Sequence, residues 1–121
     1  MLLGFRYNER ENKKIVTLGP NEVSTDFDDF LKEAGSKLVV IDIYVDWCGP
    51  CKTIASTFAN MAEEFPDVLF AKVNADENSE TVQDLNISAM PTFKLYKNGK
   101  KIDELTGTNE VALWEKIKAN K

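Results

Sequence analysis

Apolar residues along the chain follow two rhythms, one of continuous or alternating short runs and one of helical stripes, and their alternation predicts an α/β fold. Ile15 to Leu18 is a short run rich in β-branched residues and stopped by Gly19-Pro20, which reads as a strand ending in a turn. Val23, Phe27, Phe30, Leu31 and Ala34 recur at the spacing of one helix face, with Gly35 placed to end that helix. Leu38 to Val45, Leu-Val-Val-Ile-Asp-Ile-Tyr-Val, is too continuous for a strand with one wet face and belongs in the middle of a sheet. Pro50 suits the first turn of a helix whose stripe is Ile54, Ala55, Phe58, Met61, Ala62 and Phe65, ending at Pro66. Val68 to Val73 reads as a second buried strand, and Asn78-Ser79-Glu80 caps a short helix through Val82 and Leu85. Phe93 to Tyr96 and Ile102 to Leu105 flank Asn98-Gly99, a favoured hairpin turn, and Asn109 to Lys118 closes the domain with Val111, Leu113, Trp114 and Ile117 on an apolar face.

The resulting order, β-α-β-α-β-α-β-β-α, predicts a central mixed five-stranded sheet, parallel at the front and antiparallel in the terminal hairpin, with four helices covering both faces. Residues 1–14 show no sustained periodicity and read as a flexible N-terminal arm, leaving 15–121 as one domain, a usual size for a single core.

Composition narrows the function. At 43% hydrophobic and 29% charged residues the chain is an ordinary globular protein, and a net charge of −5 argues against nucleic acid as a partner. Histidine is absent, which removes Ser-His-Asp and Cys-His catalysis and any zinc site built on imidazole. The apolar start is cut short by Arg6, Glu9 and Glu11 argue against a transit peptide, and no window has the length to span a bilayer. A soluble, intracellular protein with no membrane partner is expected, cytoplasmic, with the nucleus as the alternative.

Two cysteines remain, Cys48 and Cys51, in Trp47-Cys48-Gly49-Pro50-Cys51 between the central strand and the longest helix. A disulfide there closes so short a loop that it stabilises by only about 2 kcal/mol, and two thiols supply half of a structural zinc site. Thiols at i and i+3 share a helix face, so a modest tightening closes the bridge without refolding. The orphan N–H groups and dipole at the helix start favour an anion, so Cys48 is the expected nucleophile and Cys51, one turn deeper, the resolving thiol. The competing readings are two inert core thiols or half of a metal clamp between chains. Asp42 is the only charge within Leu38–Val45, and burial there raises a carboxyl group's pKa toward the range of a proton shuttle; a strand-end, solvated Asp is the alternative. Lys72 interrupts an apolar strand and reads equally as a solvated edge lysine. Pro91, at a strand start, cannot donate to the ladder and reads on its own as an edge device.

Trp47-Cys48-Gly49-Pro50-Cys51-Lys52 at a strand-to-helix junction resembles the active site of the thioredoxin family. The resemblance runs from about Ile15 to Lys118 and includes Asp42, Lys72, Met90-Pro91-Thr92 and Gly107 in the matching order. It implies a thioredoxin-like fold and reduction of protein disulfides without a bound cofactor. Recharging would come from an NADPH-dependent thioredoxin reductase. It assigns Asp42 to deprotonation of the resolving thiol and Lys72 to partnering that carboxylate. It also implies a cis Met90-Pro91 bond beside the sulfurs, and a docking groove rimmed by Trp47, Gly49, Pro50, Ala89, Met90, Thr106 and Gly107. Three positions depart from the common pattern: Ser56 where many members have a helix-kinking proline, Tyr44 in place of Trp, and Asp46 beside the nucleophile's loop.

The expected function is therefore a monomeric protein disulfide reductase contributing to electron transport and cell redox homeostasis. A disulfide oxidase or isomerase, and a non-enzymatic binding subunit or regulator using the same groove, are the alternatives.

Overall fold

The computed structural model describes residues 5–8, 12–20 and 24–121. Among these residues, six strands, β1 (Phe5–Asn8), β2 (Asn12–Leu18), β3 (Val39–Tyr44), β4 (Leu69–Asn74), β5 (Thr92–Lys97) and β6 (Lys100–Thr106), form one sheet in the order β1-β2-β4-β3-β5-β6. Four helices are interleaved: α1 (Ser24–Ala34), α2 (Gly49–Glu64), α3 (Ser79–Asp84) and α4 (Glu110–Asn120). The five expected strands and four helices are all present. β2 and β3 run parallel to β4, and β5 runs antiparallel to β3 and β6, the mixed pattern that the element order requires.

The segment expected to be an arm differs. Phe5–Asn8 pairs antiparallel with β2, with Phe5 opposite Leu18 and Arg6 opposite Thr17, so the sheet gains a sixth, edge strand. β2 itself starts at Asn12 instead of Ile15. Four residues carry too little alternation to register as a strand; the pairing partner, not the local pattern, makes it one. Residues 1–4 and 9–11 of the expected arm lie outside the described residues.

Period-two alternation along β3 sorts the core into two layers. Val40 packs with Ile54, Phe58, Phe70, Phe93, Leu113 and Ile117 under α2 and α4, whereas Val39, Ile41 and Ile43 join Phe27, Phe30, Leu31 and Tyr96 under α1. Phe58 meets Phe70 edge-on at 5.3 Å and Phe93 at 5.7 Å, which seats α2 on the sheet. The β5–β6 turn places both Asn98 and Gly99 at positive φ, +54° and +78°, as the tight hairpin demands of its two central residues.

Candidate active site

α2 begins directly after the loop that leaves β3, so its amino end sits at the carboxyl edge of the central strands. Cys48 is its N-cap, with extended backbone (φ −92°, ψ 111°), and Cys51 is in the first turn. The two are joined in a disulfide with a Cα–Cα distance of 5.2 Å. The Cys51 N–H donates to Cys48 Sγ over 3.1 Å. A helix N-cap side chain ordinarily supplies oxygen to accept such an orphan donor; here sulfur takes the place, and the same contact favours a thiolate once the bridge is reduced. Pro50 lies among the first two helical positions, where its missing N–H costs no helical bond. α2 runs unbroken past the exposed Ser56 to Glu64.

Both cysteines are largely covered, Cys48 at 7% exposure and Cys51 at 5%, while Trp47 beside them is 76% exposed. Trp47 thus belongs to the surface, not the core. A groove of about 450 Å³ is lined by Trp47, Cys48, Gly49, Pro50 and, facing them, Ile87, Ser88, Ala89 and Met90. The Met90–Pro91 peptide bond is cis, and the Met90 carbonyl oxygen lies 3.9 Å from Cys48 Sγ. The expected rim residues Thr106 and Gly107 are not part of this lining, nor is Pro91, but hydrogen bonds tie these segments to it. The Gly107 N–H donates to the Pro91 carbonyl at 2.9 Å, Thr92 Oγ1 donates to the Ala89 carbonyl at 2.6 Å, and Thr92 and Thr106 hydroxyls meet at 3.4 Å. Gly107 does this at φ +103°, a conformation that side chains resist.

Strand register gathers the polar groups below the sulfurs. Thr17 pairs with Lys72, Lys72 with Asp42 and Asp42 with Phe93, forming a row across four strands. By alternation Asp42 shares the face of Val40, and Lys72 that of Phe70, so both project toward the α2 layer. Asp42 is 2% exposed, and its Oδ1 has no hydrogen-bond partner. Burial pushes its pKa up from 3.8 to about 7, and the Lys72 ammonium pulls in the other direction without cancelling the effect. Lys72 is half-buried with Nζ 4.4 Å above the Tyr44 ring, a cation–π contact. A second cavity of about 170 Å³ opens beside this row, lined by Thr17, Tyr44, Asp46, Cys51, Lys52 and Lys72 among others. It connects the resolving sulfur's surroundings with the two lysines.

Several contributors had no local signal. Trp47 Nε1 donates to Asp76 Oδ2 at 2.8 Å, which fixes the exposed indole at the groove's edge. Asn74, 4% exposed at the end of β4, accepts from the Asp76 N–H at 3.0 Å and donates to Asp46 and Glu77 carboxylates at 3.3 Å each. It ties the loop before Cys48 to the loop carrying Asp76. Ile87 and Ser88 join the groove lining because α3 ends nearby. Among the described residues, no group of three or more His, Cys, Asp or Glu is arranged to hold a metal ion, and no helix is long and apolar enough to cross a membrane.

The family model described as Thioredoxin matches residues 20–119. A thioredoxin of Geodia cydonium is 56% identical over 101 residues, spanning 83% of this chain and 95% of that protein. Among solved structures, Fasciola hepatica thioredoxin superposes with a TM-score of 0.80 at 39% identity, covering 84% of this chain and 97% of its own. A thioredoxin f2, crystallised in complex with ferredoxin:thioredoxin reductase, gives 0.78 at 33% identity over 87% of this chain and 93% of its own. A redox cysteine pair capping a helix could arise on other scaffolds, but shared sequence over more than four-fifths of the chain leaves no such freedom: the chain belongs to the thioredoxin family and is a dithiol–disulfide oxidoreductase.

Proposed function

We propose that this reductase passes electrons from an NADPH-dependent thioredoxin reductase to protein disulfides, with Cys48 as nucleophile, Cys51 as resolving thiol and Asp42 as the proton acceptor. The observation that carries the reading is Cys48 Sγ at the N-cap of α2, accepting the Cys51 N–H beside an open groove. Reductase activity is favoured over the oxidase, isomerase and binding-only alternatives by the family match.

In the reduced protein, the Cys48 thiolate attacks one sulfur of a substrate disulfide. That S–S bond breaks, a Cys48–substrate disulfide forms, and the departing thiolate takes a proton from solvent. Cys51 then gives its proton to Asp42, and its sulfur attacks Cys48 Sγ. The mixed disulfide breaks, the second substrate thiolate leaves and is protonated, and the Cys48–Cys51 bond is restored. Two electrons have passed to the substrate. A carboxyl group poised near neutrality is matched to this transfer because it binds and returns a proton at little cost. Lys72 sets how strongly Asp42 holds that proton, and the Lys72-lined cavity is the side from which the proton returns to solvent.

The groove receives an extended substrate segment, with Trp47 on one wall and Ala89–Met90 on the other, and the backbone of Met90 available to pair with it. A reductase partner, though not its NADPH dependence, is supported by the related thioredoxin f2, whose structure is a complex with ferredoxin:thioredoxin reductase. We further infer that the protein acts as a monomer in the cytoplasm or nucleus, in electron transport and redox homeostasis. NADPH consumption in the presence of thioredoxin reductase and insulin tests the central reading: Cys48→Ser should abolish turnover, and undiminished turnover by that variant would refute it.

A further inference from the structure

Lys94 occupies the middle of β5, with Phe93 and Leu95 in the layer beneath α2 and Lys94 facing the opposite layer. It is 5% exposed. An ammonium group is seldom left in such a place unless its charge and donors are satisfied. Two groups satisfy it. Lys94 Nζ donates to the Leu85 carbonyl oxygen, and it lies 3.2 Å from Glu104 Oε1 on the neighbouring strand, directly opposite in register. Glu104 is partly exposed and also pairs with Lys101 at 3.3 Å. The lysine pair holds its carboxyl group below the ordinary range against the opposing effect of burial.

Leu85 is the C-cap of α3, a helix of six residues, too short to hold itself together. Immediately after it the chain turns through Asn86 at φ +55° and runs into Ile87, Ser88, Ala89 and Met90, which form one wall of the groove. A cation on the last carbonyls of a helix is favourable in itself. Here it also links the helix end to the sheet, at the point from which the groove wall departs.

We propose that Lys94 is a positioning residue for substrate docking: braced by Glu104, it fixes the Leu85 carbonyl and thereby the Ile87–Met90 wall. This rests on the groove being the docking site for protein disulfides. The lysine touches neither sulfur, so its removal should alter how a large substrate is held and leave the reactivity of Cys48 alone.

The experiment compares full-length wild type, Lys94→Met and Glu104→Gln. Methionine keeps the buried stem and drops the donor; glutamine at the partly exposed position removes the countercharge without disturbing the stem. With insulin as substrate, Lys94→Met should raise KM about tenfold, as expected for one lost buried hydrogen bond, with kcat within about twofold. Glu104→Gln should raise KM by a smaller factor. Backbone amides of residues 86–90 should exchange faster in both. The reduced proteins should react with the small disulfide 5,5′-dithiobis(2-nitrobenzoate) at the wild-type rate. Unchanged KM and amide exchange in Glu104→Gln, or in a folded Lys94→Met, would overturn the proposal. Equal losses toward insulin and the small disulfide would overturn it too, since the lysine would then be acting on the sulfurs or the fold. Failure of the underlying reading is distinguishable, because wild type itself would then show no turnover of insulin.

Discussion

Replacing Asp42 by Asn removes the one buried carboxylate beneath the cysteines while keeping its shape, and its effect on stability should depend on pH. Burial raises the folded-state pKa of Asp42 from 3.8 to about 7, so the native protein holds this proton more tightly than the unfolded chain does. The proton-linked contribution is therefore present in full below about pH 4. It declines as pH rises, because the native state must either keep a proton that the unfolded chain has already released or bury a charge. The interval from 3.8 to about 7, at about 1.36 kcal/mol per pH unit, amounts to roughly 4 kcal/mol, lost mostly between pH 4 and 7 and complete above that range. Asparagine carries no such linkage. Urea unfolding of the oxidised proteins, followed by circular dichroism from pH 4.5 to 8.5, should show Asp42→Asn gaining on wild type as pH rises, by a few kcal/mol across the series. Its reductase turnover near pH 7 should fall, because Cys51 loses its proton acceptor. A stability difference that stays constant with pH would refute the argument that burial controls this carboxyl group.

Three other outcomes follow from the same geometry. Cys51→Ser should stall at the mixed disulfide, and mass spectrometry after exposure to a protein disulfide should find the substrate attached to Cys48; release at the wild-type rate would contradict the resolving role. Asp76→Ala frees the exposed Trp47 indole from its 2.8 Å hydrogen bond, and steady-state kinetics should show KM for insulin rising about two- to tenfold with the fold intact. Phe58→Ala, at the contact of α2 with Phe70 and Phe93, should cost about 3–5 kcal/mol in urea unfolding.

The parts of the molecule legible in the sequence are those whose cause is local. Leu38–Val45 announced a central strand because burial on both faces leaves a continuous apolar run, and Asp42 stood out for being charged within it. The cysteine pair was readable because its chemistry depends on a three-residue spacing and on the helix start that Pro50 signals. That Lys72 lies beside Asp42 rested on the family resemblance alone until β3 and β4 were set in register. Contacts between distant segments left no such trace. Trp47 and Asp76 are twenty-nine residues apart, and nothing around either distinguishes their pairing from two solvated side chains. Asn74 looks like a strand-ending residue until its side chain is seen to bond Asp46 in one loop and Asp76 and Glu77 in the other. Lys94 reads as the polar phase of an alternating strand, whereas the short α3 covers it and supplies a carbonyl. β1 exists because β2 offers an edge, not because four residues insist on being a strand.

The claim on which the account depends is that the start of α2 favours negative charge on Cys48 in preference to Cys51. Alkylation of the reduced protein with limiting iodoacetamide, at a series of pH values and with the modified residue located by mass spectrometry, tests it most directly. Cys48 should be modified first, at pH values where Cys51 remains free; modification of Cys51 first, or of both at equal rates, would contradict the account.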